Sequence, residues 1–340
     1  MYKKKFNNND QLKFTRLTGD LNPIHLDKNY AANTMFENIV VHGLNIVVWA
    51  LEKSIPSKIK DIKKIKINFL KIVLLNEEIF VKKLLKNKKN IQLNIESKNE
   101  RKIIIEIFLS NSEVFFHENI HKFNLKKKII LKKKVMKKIQ GHLFLQKNKK
   151  SITKIYPKIT NIIAIEKVLR LISISRLVGI QLNNNPGVLA SINLAFENSY
   201  LKNKIHFKVK KFIKKFSFCD LSILGNGIKG NIKSFLIPEI DVMSFEEIKN
   251  KLKKKILLNK KVLVIGGSSG LGEITVKILC ALGANVIFTY KKNFFNSKKI
   301  TSDLKKKKII CNFFKFDVTK IKKKDINFFK YKKFETIFYY

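Results

Sequence analysis

One order of apolar patterns occurs twice in this chain, and that repetition narrows the possible folds more than any single residue does. VHGLNIVVWALE (41 to 52) spaces its apolar residues as a helix does. IKKIKINFLKIVLL, EEIFVKKLLKN, NIQLNIES and KIIIEIFLS then follow as short runs, alternating or continuously apolar in the manner of strands. IIAIEKVLRLISISRLVGI (162 to 180) is again an amphipathic helix, and PGVLASINLAFEN, KIHFKVKKFIKKF, CDLSILGNG and KGNIKSFLIP again read as strands. A helix wrapped by an antiparallel sheet, present twice, predicts a pseudo-dimer whose two sheets pair along an edge, because that pairing removes an exposed strand edge. With 45% hydrophobic residues among 340, the chain has ample material for such cores.

Between the two units, LKKKIILKKKVMKKIQGHLFLQKNKK (125 to 150) alternates lysine runs with apolar pairs and reads as a solvated basic linker containing one strand. After Met243, SFEEIKNKLKKKILLNKK reads as a charged helix leading out of the second unit, which puts a boundary near residue 255. KVLVIGGSSGLGEITVKILCALGANVIFTY (261 to 290) then gives a buried strand, a glycine-rich turn, an apolar helix and a second buried strand, one βαβ unit. The expected domains are residues 1–125, a basic linker over 126–155, a second unit with its connecting helix over 156–255, and a third region over 256–340.

A net charge of +46 would ordinarily suggest a nucleic acid or an anionic membrane as partner. The details argue otherwise. Among the basic residues only Arg16, Arg101, Arg170 and Arg176 are arginine, and the lysine excess runs evenly through the sequence, whereas a nucleic-acid reader would use arginine forks and cluster its charge. Compositional drift accounts for the bias, and a polyanionic small ligand such as coenzyme A or NADP(H) would still benefit. Cys219, Cys280 and Cys311 make no C-x-x-C pair, which suggests a reducing compartment and no metal site. MYKKKFNNND lacks the apolar stretch of a signal peptide, and no apolar run reaches about 18 residues, so a cytoplasmic protein without a membrane span is expected.

TGDLNPIHLDKNYAA (18 to 32) holds an acid and a histidine on either side of an Asn-Pro. Pro23 fixes its own φ and biases Asn22 away from helix, so Asp20 and His25 flank a stiff extended turn, and Asn22 can hydrogen-bond its own backbone to hold the loop. Such rigidity suits a general acid and base that must both reach one site. Gly43 follows His42 at the start of the apolar helix, where unpaired N–H groups and the positive end of the dipole could polarise a thioester carbonyl. Taken singly, Asp20 would read as a turn residue, His25 as a core histidine and His42 as a packing residue at the helix start.

The whole string resembles the MaoC-like, or (R)-specific enoyl-CoA hydratase, family of hot-dog folds, through Phe14, Leu17, Thr18, Gly19, Asp20, Asn22, Pro23, Ile24, His25 and Ala31. Phe14 departs from the family, which usually has tyrosine there. The resemblance implies that Asp20 and His25 activate water for syn addition across a trans-2-enoyl thioester, or remove it from the (R)-3-hydroxyacyl form. It also implies that the Gly43 N–H meets the thioester oxygen. Double hot-dog members carry the motif in one half while the other widens the acyl tunnel. In eukaryotic members the active half is usually the C-terminal one; here it is the N-terminal one. An acyl-CoA or acyl-carrier-protein thioester is the implied substrate, with no cofactor for the hydration and a homodimer as the assembly.

Gly266-Gly267-Ser268-Ser269-Gly270-Leu271-Gly272 resembles the T-G-x-x-x-G-x-G turn of short-chain dehydrogenases/reductases, with Ile265 in place of the threonine. Glycines let the main chain approach a pyrophosphate, and the helix N-terminus that follows supplies N–H donors. The resemblance makes Gly266, Ser268, Ser269, Gly270, Leu271 and Gly272 cofactor-binding, with Asp317 and Val318 of FKFDVTK near the adenine. TYKK (289 to 292) has no acid for a ribose 2′-hydroxyl, and Lys291 or Lys292 could take a 2′-phosphate, so NADP(H) is the expected cofactor. The family's Y-x-x-x-K is missing beyond the turn, and Tyr200-Leu201-Lys202-Asn203-Lys204, which has that spacing, precedes it. An incomplete reductase without 3-oxoacyl reduction is therefore expected.

The expected architecture is an α+β double hot dog followed by a partial α/β Rossmann-like domain. The expected function is an enoyl-thioester hydratase or 3-hydroxyacyl-thioester dehydratase joined to an incomplete reductase. Two alternatives remain open: an oxidoreductase whose hot-dog half only binds acyl groups, and a basic nucleic-acid or membrane-surface binder.

Overall fold

The computed structural model describes residues 2–32, 34–56, 61–87, 89–110, 140–144, 149–181, 186–197, 204–237, 242–252, 254–321 and 323–340. The chain separates into two compact units, Met1–Lys28 with Asn38–Pro238, and Asn29–Glu37 with Glu239–Tyr340.

The first unit starts with strand β1 (Tyr2–Lys5) and helix α1 (Asn8–Thr18), and a short helix α2 (Lys28–Ala32) follows in the chain. No sequence pattern announced α1. It begins at a capping box, in which the Asn7 side chain accepts from the Asp10 N–H while the Asp10 carboxylate accepts from the Asn7 N–H, and it ends at Gly19 in the left-handed region (φ 71°). The apolar helix forms as read from the sequence, as α3 (Gly43–Ser54). Leu44, Ile46, Val47, Val48, Trp49 and Leu51 are all buried, so α3 lies inside the protein, each large side chain contributing about 1.5–3 kcal/mol of burial. The antiparallel strands β2 (Ile62–Phe69), β3 (Glu78–Asn87), β4 (Asn90–Ser97) and β5 (Glu100–Leu109) follow, and their buried isoleucines and valines share one core with α3. This is a hot-dog fold.

The second half of the unit comprises β6 (Gln140–Phe144), α4 (Lys149–Ile155), α5 (Pro157–Ile162), α6 (Ile165–Arg176), β7 (Gly187–Phe196), β8 (Lys204–Ile213), β9 (Phe218–Gly225) and β10 (Ile228–Leu236). The single helix expected over 162–180 is broken. Ile163 is extended (φ −116°, ψ 140°), and α6 runs on into one π-helical turn, Leu177–Gln181. Of the expected basic linker, residues 126–139 and 145–148 lie outside the described residues, as do Tyr200 to Asn203; its one strand is β6.

All ten strands form one sheet in the order β1-β3-β4-β5-β2-β7-β10-β9-β8-β6. Read outward from its centre, each side gives the strand before the meander's first turn, then the last, the next-to-last and the second, then the strand that precedes the helix. The halves meet where β2 pairs antiparallel with β7, from Lys64 opposite Ala195 to Asn68 opposite Ser191. The N-cap residues of the two buried helices share one conformation, His42 at φ −56°, ψ 117° and Ala164 at φ −48°, ψ 122°. Other ties cross between the halves. The Glu52 carboxylate accepts from the Lys158 and Ile159 N–H groups at the start of α5, at 3.0 and 2.7 Å, and the Tyr156 hydroxyl donates to Asn45 Oδ1 at 2.5 Å.

The C-terminal unit has α7 (Phe245–Lys251), β11 (Lys261–Ile265), α8 (Gly270–Ala281), β12 (Asn285–Tyr290), α9 (Phe294–Lys305), β13 (Cys311–Lys315), α10 (Lys323–Tyr331) and β14 (Thr336–Tyr339). Its four strands are parallel in the order β13-β12-β11-β14. The boundary expected near 255 moves to 238/239, because Phe245 and Ile248 of α7 pack in the core of this unit with Val276, Leu279 and Leu304.

Lys167 of α6 forms an ion pair with Asp61 at the head of β2, both side chains buried, and also donates to the Ile62 carbonyl at 3.3 Å. Removing one member would strand a buried charge, so Asp61→Ala is expected to lower the unfolding free energy by about 3 kcal/mol or more in urea titrations. The double replacement Asp61→Leu/Lys167→Met is expected to recover most of that loss.

Candidate active site

The loop between α1 and α2 is built by side chains acting on their own backbone. The Asn22 N–H donates to Asp20 Oδ1 at 3.1 Å, and the Ile24 N–H donates to Asn22 Oδ1 at 3.2 Å, two successive Asx turns that lead into a single 3₁₀ turn, Pro23–His25. The stiff turn expected around Asn22-Pro23 is thus present, more tightly wound than an extended segment. The Asn22 amide also donates to the carbonyl of Gly187 at 3.1 Å, which fixes the loop to the first residue of β7.

This geometry brings Asp20, His25 and His42 together, all buried, with one nitrogen or oxygen from each within 4.8 Å of the others. The His25 and His42 rings lie 3.9 Å apart between centroids, and His42 Nε2 stands 3.8 Å from Asp20 Oδ2. His25 Nδ1 lies 2.7 Å from the Val40 carbonyl and donates its proton there, so Nε2 carries the lone pair. Gly43 opens α3, and a Cβ at that position would come within 2.7 Å of the Phe69 ring, so only glycine leaves its N–H end open in this packing. Phe14 sets its ring 5.0 Å from that of His42.

The second half supplies residues that motif reasoning missed. Ser175 Oγ of α6 donates to Asp20 Oδ2 at 2.6 Å. Gly179, in the π-helical turn, passes so close that a Cβ there would lie 2.1 Å from Asp20 Oδ1. Ser175 and Gly179 are four residues apart and share a helix face, so the small-residue spacing in SRLVG was the available signal. Gln11 was likewise unmarked. Its amide donates to the His25 and Val40 carbonyls at 3.2 and 3.0 Å, while its oxygen faces His42.

Burial pushes the Asp20 carboxyl up from its ordinary value, against the opposing effects of His25, the Ser175 and Asn22 hydrogen bonds, and Arg176. Burial pushes His25 down, opposed by Asp20 and its Val40 bond, and pushes His42 well down, with the charge of His25 acting in the same direction.

In the C-terminal unit, Gly266 (φ 83°) and Gly270 (φ 55°) occupy the left-handed region, and a Cβ at Gly272 would lie 2.2 Å from the Gly266 carbonyl oxygen. The hydroxyl that Ile265 lacks comes from β12, where Thr289 accepts the Gly266 N–H at 3.1 Å. Ser268 is buried and Ser269 is the N-cap of α8; Leu271 and Val318 are exposed. Lys291 pairs with Asp317 at 3.2 Å. The Thr319 hydroxyl and N–H also bond that carboxyl, and with Lys291 they hold it down at about 2.

Residues 2–106 match the family model described as MaoC like domain. They form a MaoC-like domain. A 42-residue segment is 45% identical to a 3-hydroxybutyryl-CoA dehydratase of Methylorubrum extorquens, covering 12% of this chain and 27% of that protein's length. Among solved structures, a MaoC domain dehydratase from Chloroflexus aurantiacus is similar at 9% identity and a TM-score of 0.43, over 70% of this chain and 94% of that one. An (R)-hydratase from A. caviae is similar at 25% identity and a TM-score of 0.26, over 31% and 88%. Among the described residues, no helix is long and apolar enough to cross a membrane.

His25 and His42 both carry folded pKa values lowered by burial. Their contribution to stability is therefore present above the unfolded value of about 6.5 and is lost as pH falls through it, when the unfolded chain takes up protons that the folded chain does not. The melting temperature is expected to fall between pH 7.5 and 5.5, and to fall less for His42→Gln, as read by circular dichroism.

Proposed function

We propose that this chain hydrates trans-2-enoyl thioesters and dehydrates the corresponding (R)-3-hydroxyacyl thioesters, with Asp20 and His25 as its proton-transfer pair. The observation that carries the reading is the buried pairing of Asp20, its carboxyl raised by burial, with His25, whose Nδ1 is committed to the Val40 carbonyl and whose ring lies in the same cluster. Burial favours the neutral pair, carboxylic acid and imidazole, over the ion pair.

In the hydration direction, His25 Nε2 takes a proton from water as the water oxygen bonds to C3. The C2=C3 electron pair moves toward the thioester carbonyl, whose oxygen is met by the Gly43 N–H at the positive end of α3. C2 takes the Asp20 proton, and the proton on His25 returns to Asp20, so one water is added and the pair is restored. Both groups reach the substrate from one side, which makes the addition syn. Dehydration is the reverse. Asn22 holds the loop, and Ser175 fixes the Asp20 carboxyl.

The second half we read as a degenerate hot-dog repeat. Its strand order, its N-cap conformation at Ala164 and its edge pairing support that reading, as does its lack of an acid and histidine at the equivalent place. An acyl-CoA is the favoured substrate, given the dehydratase relative of the 42-residue segment and the excess of lysine.

For the C-terminal unit we infer a Rossmann-like dinucleotide fold of the short-chain dehydrogenase/reductase type that takes NADP(H), which keeps an oxidoreductase reading in view. The strand order third-second-first-fourth and the positive-φ glycines of the turn after β11 support it. Lys291 would exchange its Asp317 partner for the 2′-phosphate. NADPH binding, followed by fluorescence, is expected to be abolished by Gly270→Asp and weakened by Lys291→Glu; unchanged binding in both would remove the assignment.

Crotonyl-CoA hydration, followed by loss of the enoyl-thioester absorbance, tests the hydratase. Asp20→Asn and His25→Ala are each expected to lower turnover by about a hundredfold or more while the circular dichroism stays native. Ser175→Ala is expected to cost roughly tenfold and to move the alkaline limb of the pH profile upward, since the lost hydrogen bond favoured the carboxylate and the acid now keeps its proton to higher pH. Near wild-type rates in either of the first two variants would defeat the mechanism.

A further inference from the structure

His42 has no task in the reaction just described, yet its ring is held as firmly as that of His25. The Gln11 amide nitrogen is committed to two carbonyl oxygens, so its own oxygen must be the atom 3.3 Å from His42 Nδ1. An oxygen acceptor there places the proton on Nδ1 and the lone pair on Nε2. The Val40 carbonyl does the same for His25. Both imidazoles thus carry their lone pair on Nε2; that of His42 stands 3.8 Å from Asp20 Oδ2 and is buried with no hydrogen-bond partner. The Ser175 hydroxyl and the Asn22 N–H reach the carboxyl, but neither reaches the His42 lone pair, so two imidazole lone pairs and a carboxyl group lie close enough for a cation to take the place of the Asp20 proton.

We propose that Asp20, His25 and His42 bind a divalent transition-metal ion of the Zn2+ class reversibly, through the two Nε2 atoms and the carboxylate. Two histidines and one carboxylate are a known ligand set for such ions, and an Nδ1–H donated to a carbonyl oxygen is the usual support of a ligating histidine. Magnesium and calcium are disfavoured, because they seek oxygen ligands. Tetrahedral bonds of about 2.0–2.1 Å separate ligand atoms by roughly 3.3 Å. The 3.8 Å between His42 Nε2 and Asp20 Oδ2 is close to that, and the widest spread of 4.8 Å closes by rotation of the rings and carboxyl. A bound ion takes the His25 lone pair that would accept the water proton, so occupancy inhibits. That consequence rests on the hydratase reading; the site itself does not.

The test is titration of the full chain with Zn2+ by calorimetry and with Co2+ by visible spectroscopy, without thioester. Saturable binding is expected, with d–d bands and no thiolate charge transfer, which separates this site from the Cys280 and Cys311 thiols of the C-terminal unit. His42→Gln is expected to weaken it at least tenfold while His206→Asn, at an exposed strand position, leaves it unchanged; Asp20→Asn serves in place of His42→Gln if that variant does not fold. Equal binding in wild type and His42→Gln, or no binding at millimolar metal, overturns the proposal. Hydration of crotonyl-CoA is expected to stop at metal saturation and return with a chelator. Metal binding without any hydratase activity would sustain the site and refute the enzyme reading, whereas activity unaffected at saturation would refute the inhibition.

Discussion

The antiparallel pairing of β2 with β7 is the constraint on which the candidate site depends. It joins the sheets of the two halves and fixes α6 and the start of β7 against the loop after α1. Asp20 is then met from the far half by the Ser175 hydroxyl and by the main chain at Gly179, while Asn22 is held by the Gly187 carbonyl. None of these partners lies within 150 residues of Asp20 in the chain. The acid's environment is therefore shared: the local motif supplies the acid, His25 and the Asn22 N–H, and the seam supplies the rest.

That environment has a definite electrostatic character. A carboxyl fully removed from water rises in pKa unless compensated, and here the compensation from a serine hydroxyl and one backbone N–H is incomplete. His25 is moved in the opposite sense by the same burial. The two shifts act in opposite senses, the acid held more weakly acidic and the base more weakly basic than in water, which suits a reaction that needs a donor and an acceptor at once. Gly179 contributes by absence. Any side chain there would drive into the carboxylate, and the π-helical turn that carries it is the irregularity that lets α6 pass so close.

Most of the first unit was legible because its helices and strands carry period. The α3 stripe and the alternating strands around it fall where the spacing put them, and so do the four strands after α6. What escaped had another cause. Helix α1 is short and polar and is held by its capping box and by the burial of Phe14 and Leu17, and NNNDQLKFTRLT gives no strong apolar stripe. Helix α7 looked charged enough to be a connector, yet Phe245 and Ile248 suffice to fix it in the C-terminal core. Asp20, Asn22, His25 and Gly43 were legible from a local motif. Gln11 and His42 enter through long-range contacts that no local spacing encodes, and Ser175 left only the small-residue spacing it shares with Gly179.

The unequal chemistry of the two halves follows from small substitutions at matching places. His42 and Ala164 adopt the same N-cap conformation, so the backbone offers both helices the same entry. In the first half the next residue is Gly43, which has no side chain; in the second it is the branched Ile165, partly buried against the core. From the second half, α6 and the turn after it meet the first with a hydroxyl and a glycine directed at Asp20. The candidate site is thus formed from residues of both halves, and the Ser175 hydroxyl of the second half lowers the carboxyl of Asp20 in the first against the effect of burial.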